Sequence, residues 1–148
     1  MGKHQLENKL VIVIGGAGLL GSSFCHCIVE NGGTVIIADF NLDAANVLMK
    51  KIEKKGGIGE ALFVDITSDK SVDDLIQIIL KKYRKVDAVV NASYPRNSNY
   101  GKKLEEVSYE NFCENMNLHL GGYFLIMKRF TELFCEQQFG NIINLASV

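Results

Sequence analysis

The chain has 148 residues, 47% of them apolar and 22% charged, enough for one domain with its own hydrophobic core. Sixteen Lys and Arg against 17 Asp and Glu leave a net charge of −1, which argues against a nucleic-acid or anionic-membrane partner recruited by bulk charge. No apolar run approaches the ~20 residues that cross a bilayer, and the polar start MGKHQLEN does not read as a secretory signal, so a cytoplasmic protein is expected.

Five short β-rich runs are predicted, at 10–14 (LVIVI), 34–38 (TVIIA), 61–64 (ALFV), 86–90 (VDAVV) and 142–145 (IINL). The first two are almost continuously apolar, as strands are when helices cover both faces of a parallel sheet. Between the first and second runs, Leu20, Phe24, Cys27 and Ile28 form one helical stripe, stopped by Asn31-Gly32-Gly33. A second stripe is Leu42, Ala45, Met49 and Ile52, stopped by Gly56-Gly57. A third is Val72, Leu75, Ile76, Ile79 and Tyr83, opened by the capping cluster Thr67-Ser68-Asp69. Ser108 opens a fourth helical region that runs to about Glu136, kinked near Gly121-Gly122. Strand–helix alternation at this spacing predicts an α/β fold of three layers, a doubly wound parallel sheet.

Cys25-His26-Cys27 is not read as a metal motif. Residues two apart on a helix point to different sides, and no C-x-x-C or H-x-x-x-H partner follows, so no metal is expected. The irregular stretch 92–104 (ASYPRNSNYGKKL) follows the fourth strand at its C-terminal end, where open α/β sheets place ligands. Its Arg96, Lys102 and Lys103 are read either as contacts to a substrate phosphate or as a solvated basic loop.

The glycine run from Gly15 to Gly21 (GGAGLLG) follows the first strand directly and opens the first helix, with glycines at 15, 18 and 21 spaced G-x-x-G-x-x-G. Such a turn lets a pyrophosphate approach the backbone, and the free N–H groups and dipole of the helix start face the anion. Gly21 lets the helix pack closely on the strand, and Gly16 reads as an extra that adds turn freedom. Asp39 ends the second strand 18 residues after Gly21. A carboxylate there accepts ribose hydroxyls and repels a 2′-phosphate, so NAD is expected over NADP. Asp39 also reads as a solvated strand end or a helix cap.

With these motifs in order, the sequence resembles the short-chain dehydrogenase/reductase family over its whole length. The likeness rests on the glycine turn, Asp39, Val64-Asp65-Ile66, Asn91-Ala92-Ser93, and Asn117 with Gly121-Gly122-Tyr123-Phe124 before Gly140-Asn141-Ile142-Ile143-Asn144-Leu145-Ala146-Ser147. It implies a Rossmann-like fold with five strands present and the C-terminal strands missing. It also implies a cofactor site of Gly15, Gly18, Leu19, Leu20, Gly21, Asp39, Phe40, Asp65, Ile66, Asn91, Ala92 and Ser93. Asp65 would face the adenine amino group, or else cap a helix. Ser147 sits where the family's catalytic serine sits, and Asn117 where its helix asparagine holds a water of the proton relay. Three departures stand out: the glycine spacing of the family's extended members, Ser93 in place of a glycine, and one extra residue between Asn117 and Gly121.

None of the five tyrosines has a lysine four residues later, so the family's Tyr-x-x-x-Lys pair is absent from these 148 residues. No turnover by the chain alone is therefore expected. A narrower likeness lies in 91–124, which resembles the branch called flagellin-modification protein A, whose members belong to legionaminic-acid-type sugar biosynthesis in bacteria. That implies an NAD-dependent oxidoreductase acting on an amino-sugar or sugar-phosphate hydroxyl or ketone. The alternative is a non-catalytic dinucleotide-binding module or pseudoenzyme subunit. The family likeness also implies a homo-oligomer built on the helix bearing Phe112, Met116, Leu120, Phe124, Met127 and Phe134; one wide buried face in a monomer is the competing reading of that stripe.

Overall fold

A computed structural model describes residues 5–146. The strands are β1 (Leu10–Ile14), β2 (Thr34–Asp39), β3 (Ile58–Phe63), β4 (Ala88–Asn91) and β5 (Asn141–Asn144). All four pairings are parallel, and the strand order is β3-β2-β1-β4-β5. The helices are α1 (Leu19–Glu30), α2 (Leu42–Glu53), α3 (Asp69–Tyr83), α4 (Tyr109–Met116) and α5 (Gly122–Gln137).

Alternation along β1 builds both outer layers. Leu10, Ile12 and Ile14 point into one core with Val72, Leu75 and Ile79 of α3 and Ile126, Phe130 and Leu133 of α5. Val11 and Val13 point into the other, with Cys25 and Ile28 of α1 and Ala45, Leu48, Met49 and Ile52 of α2. The sheet is thus covered on both faces, as the apolar runs predicted. The order reverses between β1 and β4, and the crevice there opens at the carboxyl ends of the strands.

Several boundaries differ from the sequence reading. β3 begins three residues early, at Ile58, because Gly59 and Glu60 pair with Val35 and Ile36 although neither adds to an apolar run. β4 begins at Ala88 and not Val86. On α1 the buried residues are Gly21, Cys25 and Ile28; Leu20 is exposed, Phe24 half-buried and Cys27 exposed. The stripe is rotated because Gly21, which contributes no hydrophobicity, occupies the closest approach of the helix to the turn at Gly15 and Gly16.

The fourth helical region, expected to kink near Gly121-Gly122, is instead divided by a π-turn that ends at Gly121. Ser108 caps α4, its hydroxyl accepting from Asn111 N–H at 3.2 Å. A π-turn over Asn117–Gly121 then joins α4 to α5. An i→i+5 turn holds one residue more than an α-turn. The turn spans the same five residues, Asn117 to Gly121, and α5 follows it directly.

Candidate cofactor and active site

The glycine turn is held by its neighbours. Gly15 has φ +70°, and a Cβ there would lie 2.7 Å from Ser93 Cα, so the turn is pressed against the segment leaving β4. A Cβ on Gly21 would overlap the Gly15 carbonyl oxygen. Gly16 is not a spare source of freedom, as its place outside the repeat suggested. It is buried, and a Cβ would lie 2.8 Å from Val13 O and 2.9 Å from Ile37 Cγ2. Its requirement is space beside β1 and β2.

Asp39 closes the same turn from the end of β2. One carboxylate oxygen accepts from Ala17 N–H and the other from Asn41 N–H, both at 2.9 Å. The α2 cap is Asn41 and not Asp39, since Asn41 Oδ1 accepts from Ala44 N–H at 3.0 Å. Each Asp39 oxygen keeps a free lone pair, and the residue is half-buried, so it can still accept ribose hydroxyls.

The start of α1 is fitted to an anion. Its N-cap is Gly18, with no side-chain cap and no acidic residue in the first turn. Gly18 N–H is directed to Gly15 O at 3.0 Å and Ala17 N–H to Asp39. The Leu19 and Leu20 amides have no acceptor among the described residues. Both side chains are solvent-exposed, Leu19 at 89%. Exposed apolar groups beside unpaired amides are what a bound dinucleotide would cover.

Phe40 is 70% exposed and its ring lies 5.6 Å from that of Phe63, at 47°. Phe63 was missed by sequence reasoning. Its signal is the register that sets it beside Asp39 on the neighbouring strand, which becomes visible only once β2 and β3 are paired. Asp65 makes a local turn, accepting from Thr67 N–H at 2.9 Å and Thr67 Oγ1 at 2.7 Å. The α3 cap is Ser68, accepting from Ser71 N–H, so Asp65 is not that cap. Ile66 is buried in the core and lies under Gly122, where a Cβ would meet it at 2.6 Å.

Asn91 ends β4 fully buried, its Oδ1 accepting from Ser93 N–H at 3.2 Å and from the Ser93 hydroxyl at 2.6 Å. Its Nδ2 is buried without an acceptor among the described residues. Ser93 adopts no positive φ, so serine replaces the family's glycine here without backbone strain. Ala92 and Ser93 flank Gly15, which brings the glycine turn and the β4 exit together.

Asn117 begins the π-turn and is exposed, with Oδ1 facing Gly121. Ser147 lies outside the described residues. A second residue missed in the sequence stands beside this end of the sheet. The Tyr123 hydroxyl lies 3.0 Å from both Ser93 O and Leu145 O, so it donates between the chain segments leaving β4 and β5. Burial pushes its pKa up, which keeps it a neutral donor.

A reversal of strand order between β1 and β4, an uncapped α1 start and a carboxylate at the end of β2 place the chain in the doubly wound α/β class. The short chain dehydrogenase model matches residues 9–148, and the chain belongs to that family. It is 42% identical over 148 residues to "Post-translational flagellin modification protein A" of Campylobacter coli, covering 97% of this chain and 57% of that protein. It is 29% identical to a 7alpha-hydroxysteroid dehydrogenase of Bacteroides fragilis, covering 98% of this chain and 56% of that one. Among solved structures, gox2181 superposes with a TM-score of 0.88 at 25% identity, over 96% of this chain and 55% of the other. An NAD+-bound xylitol dehydrogenase gives 0.88 at 20% identity over 97% of this chain and 54% of the other, a likeness of fold. The chain spans little more than half the length of these relatives.

Proposed function

We propose that this chain is the dinucleotide-binding part of an NAD-dependent oxidoreductase that moves hydride between nicotinamide and a sugar hydroxyl or ketone. The observation that carries it is the uncapped α1 start, with free Leu19 and Leu20 amides, facing the half-buried Asp39 across the glycine turn. The sugar class rests on the likeness to the flagellin-modification protein.

The residues divide the work. Gly15, Gly18 and Gly21 keep the backbone close enough for the Leu19 and Leu20 amides to hold the pyrophosphate. Asp39 accepts the adenosine ribose hydroxyls and repels a 2′-phosphate. Phe40, Asp65 and Ile66 border the adenine, and Asn91, Ala92 and Ser93 carry the cofactor along the β4 exit. Bound NAD supplies the hydride acceptor or donor. Ser147 stabilises charge on the substrate oxygen, and Asn117 orients the water of the proton relay. We place the working molecule in the cytoplasm, as a homo-oligomer joined through α4 and α5.

Titration calorimetry with NADH and NADPH tests this. NADH should bind at least tenfold more tightly, and Asp39→Ala should remove most of that preference. Turnover of the 148-residue chain itself should be absent. No dinucleotide binding up to millimolar concentration would overturn the proposal, and so would an unchanged preference in the variant. NADH binding without any sugar-dependent response in a longer homologous chain would favour the non-catalytic reading.

A further inference from the structure

The segment between β4 and α4 carries three cations, and the structure separates them. The Arg96 guanidinium carbon lies 5.9 Å from the centroid of the Tyr94 ring and 5.5 Å from that of Tyr100. The two rings meet edge to face with centroids 5.5 Å apart, and their hydroxyls are hydrogen-bonded to each other. Both rings are therefore fixed by one another beneath the guanidinium. Among the described residues no carboxylate pairs with Arg96, whereas Arg129 is held by Asp69, Asp73 and Glu132. Lys102 and Lys103 are exposed and stack on no ring. A guanidinium held near aromatic rings and paired with no carboxylate keeps its N–H donors for a ligand, in the fork geometry that matches a phosphate or carboxylate.

The same two rings line a cavity of about 300 Å³, together with Asn99, Asn115, Met116 and His119. This is the lower end of the range for small-molecule sites, room for one substituted six-membered ring. The cavity adjoins the candidate site through a stack of rings. Tyr94 meets His119 edge to face at 4.7 Å, and His119 meets Tyr123 at 4.8 Å. Tyr123 in turn reaches the chain leaving β4 and β5. The asparagine wall is held internally: Asn115 and Asn97 bond through Asn115 Nδ2 at 2.8 Å, and Asn99 Nδ2 donates to Asn111 Oδ1 at 2.6 Å. Glu114, the acidic residue nearest in this network, is occupied by Asn97 Nδ2 at 2.6 Å.

We propose that Arg96, on its Tyr94–Tyr100 platform, anchors an oxyanion substituent of the substrate, a phosphate or a carboxylate, while the substrate ring occupies the cavity beside it. This rests on the sugar-oxidoreductase reading above and adds a charged group to its substrate class.

The chain has three arginines, so side-chain Nε–H signals in an NMR spectrum of the 148-residue protein can be assigned by single substitution. Glucose 6-phosphate, glucuronate and glucose are the probes, one ring with a phosphate, a carboxylate or neither. A charged sugar should move the Arg96 signal and glucose should not, and the tighter of the two identifies the oxyanion. Arg96→Gln should weaken the charged sugar at least tenfold, and Arg96→Lys should recover only part, because an ammonium lacks the planar fork. Replacing Lys102 and Lys103 together by Gln should change binding less than threefold. An unmoved Arg96 signal with all three probes overturns the inference, as does equal affinity of Arg96→Gln and the parent. NADH titrated into the parent separates the two claims. If NADH binds and Arg96 stays silent, the anchor fails alone; if NADH does not bind, the oxidoreductase reading fails.

Discussion

Asp87 shows how one residue serves the fold far from any ligand. It is 8% exposed, and it accepts Leu10 N–H at 2.9 Å while Lys85 and Lys9 approach its oxygens at 2.9 and 3.1 Å. Burial pushes its pKa up, but the Leu10 amide and the two lysines outweigh burial and hold it below the ordinary carboxylate value. A depressed folded pKa contributes stability above the unfolded value of about 4, and that stability is lost as pH falls through the folded pKa. Asp87→Asn should cost about 2 kcal/mol at pH 7, the scale of charge-assisted hydrogen bonds. Urea midpoints of parent and variant should converge as pH falls below the ordinary carboxylate range and through the depressed folded pKa. At this scale the sequence showed the glycine repeat and Asp39, because their chemistry is local. It did not show the need for glycine at position 16, because the atoms that require it, Val13 O and Ile37 Cγ2, come from two different strands.

Elements were legible where the pattern was strong. The buried residues of α3 are four of the five in its predicted stripe, with Tyr83 partly buried. Ser68 caps the helix inside the predicted cluster. The stripe of the last helical region had two readings, and the structure does not support the one that buries it in a monomer. Ile126, Phe130 and Leu133 face the core, while Phe112, Met116, Leu120, Phe124 and Met127 are exposed. The region is apolar on two sides, and hydrophobicity alone does not say which side meets the sheet. Tyr123, at the start of α5, joins the ends of β4 and β5. Tyr123→Phe should lower stability by about 1 kcal/mol in urea denaturation, the net worth of a neutral hydrogen bond. It should also raise hydrogen exchange at the two strand ends.

For the whole molecule, the exposed face of α4 and α5 is the feature with the widest consequence. Phe112, Met116, Leu120, Phe124 and Met127 leave large apolar side chains exposed there, and the proposed homo-oligomer would cover them. Phe124→Glu should shift sedimentation toward the monomer and raise solubility, while leaving the far-ultraviolet circular dichroism unchanged. No helix among the described residues is long and apolar enough to cross a membrane.

The order of strands and helices, the doubly wound sheet and the glycine turn after β1 were set by sequence alone, because apolar period, helix caps and glycine spacing are properties of contiguous residues. The tertiary structure decided what depends on residues distant in the chain: Phe63 beside Asp39, the tie from Tyr123 to two strand ends, and the path after β4 that gathers Tyr94, Arg96, Tyr100 and His119. Those contacts arise only when the sheet register and the path after β4 are fixed, and no local pattern encodes either.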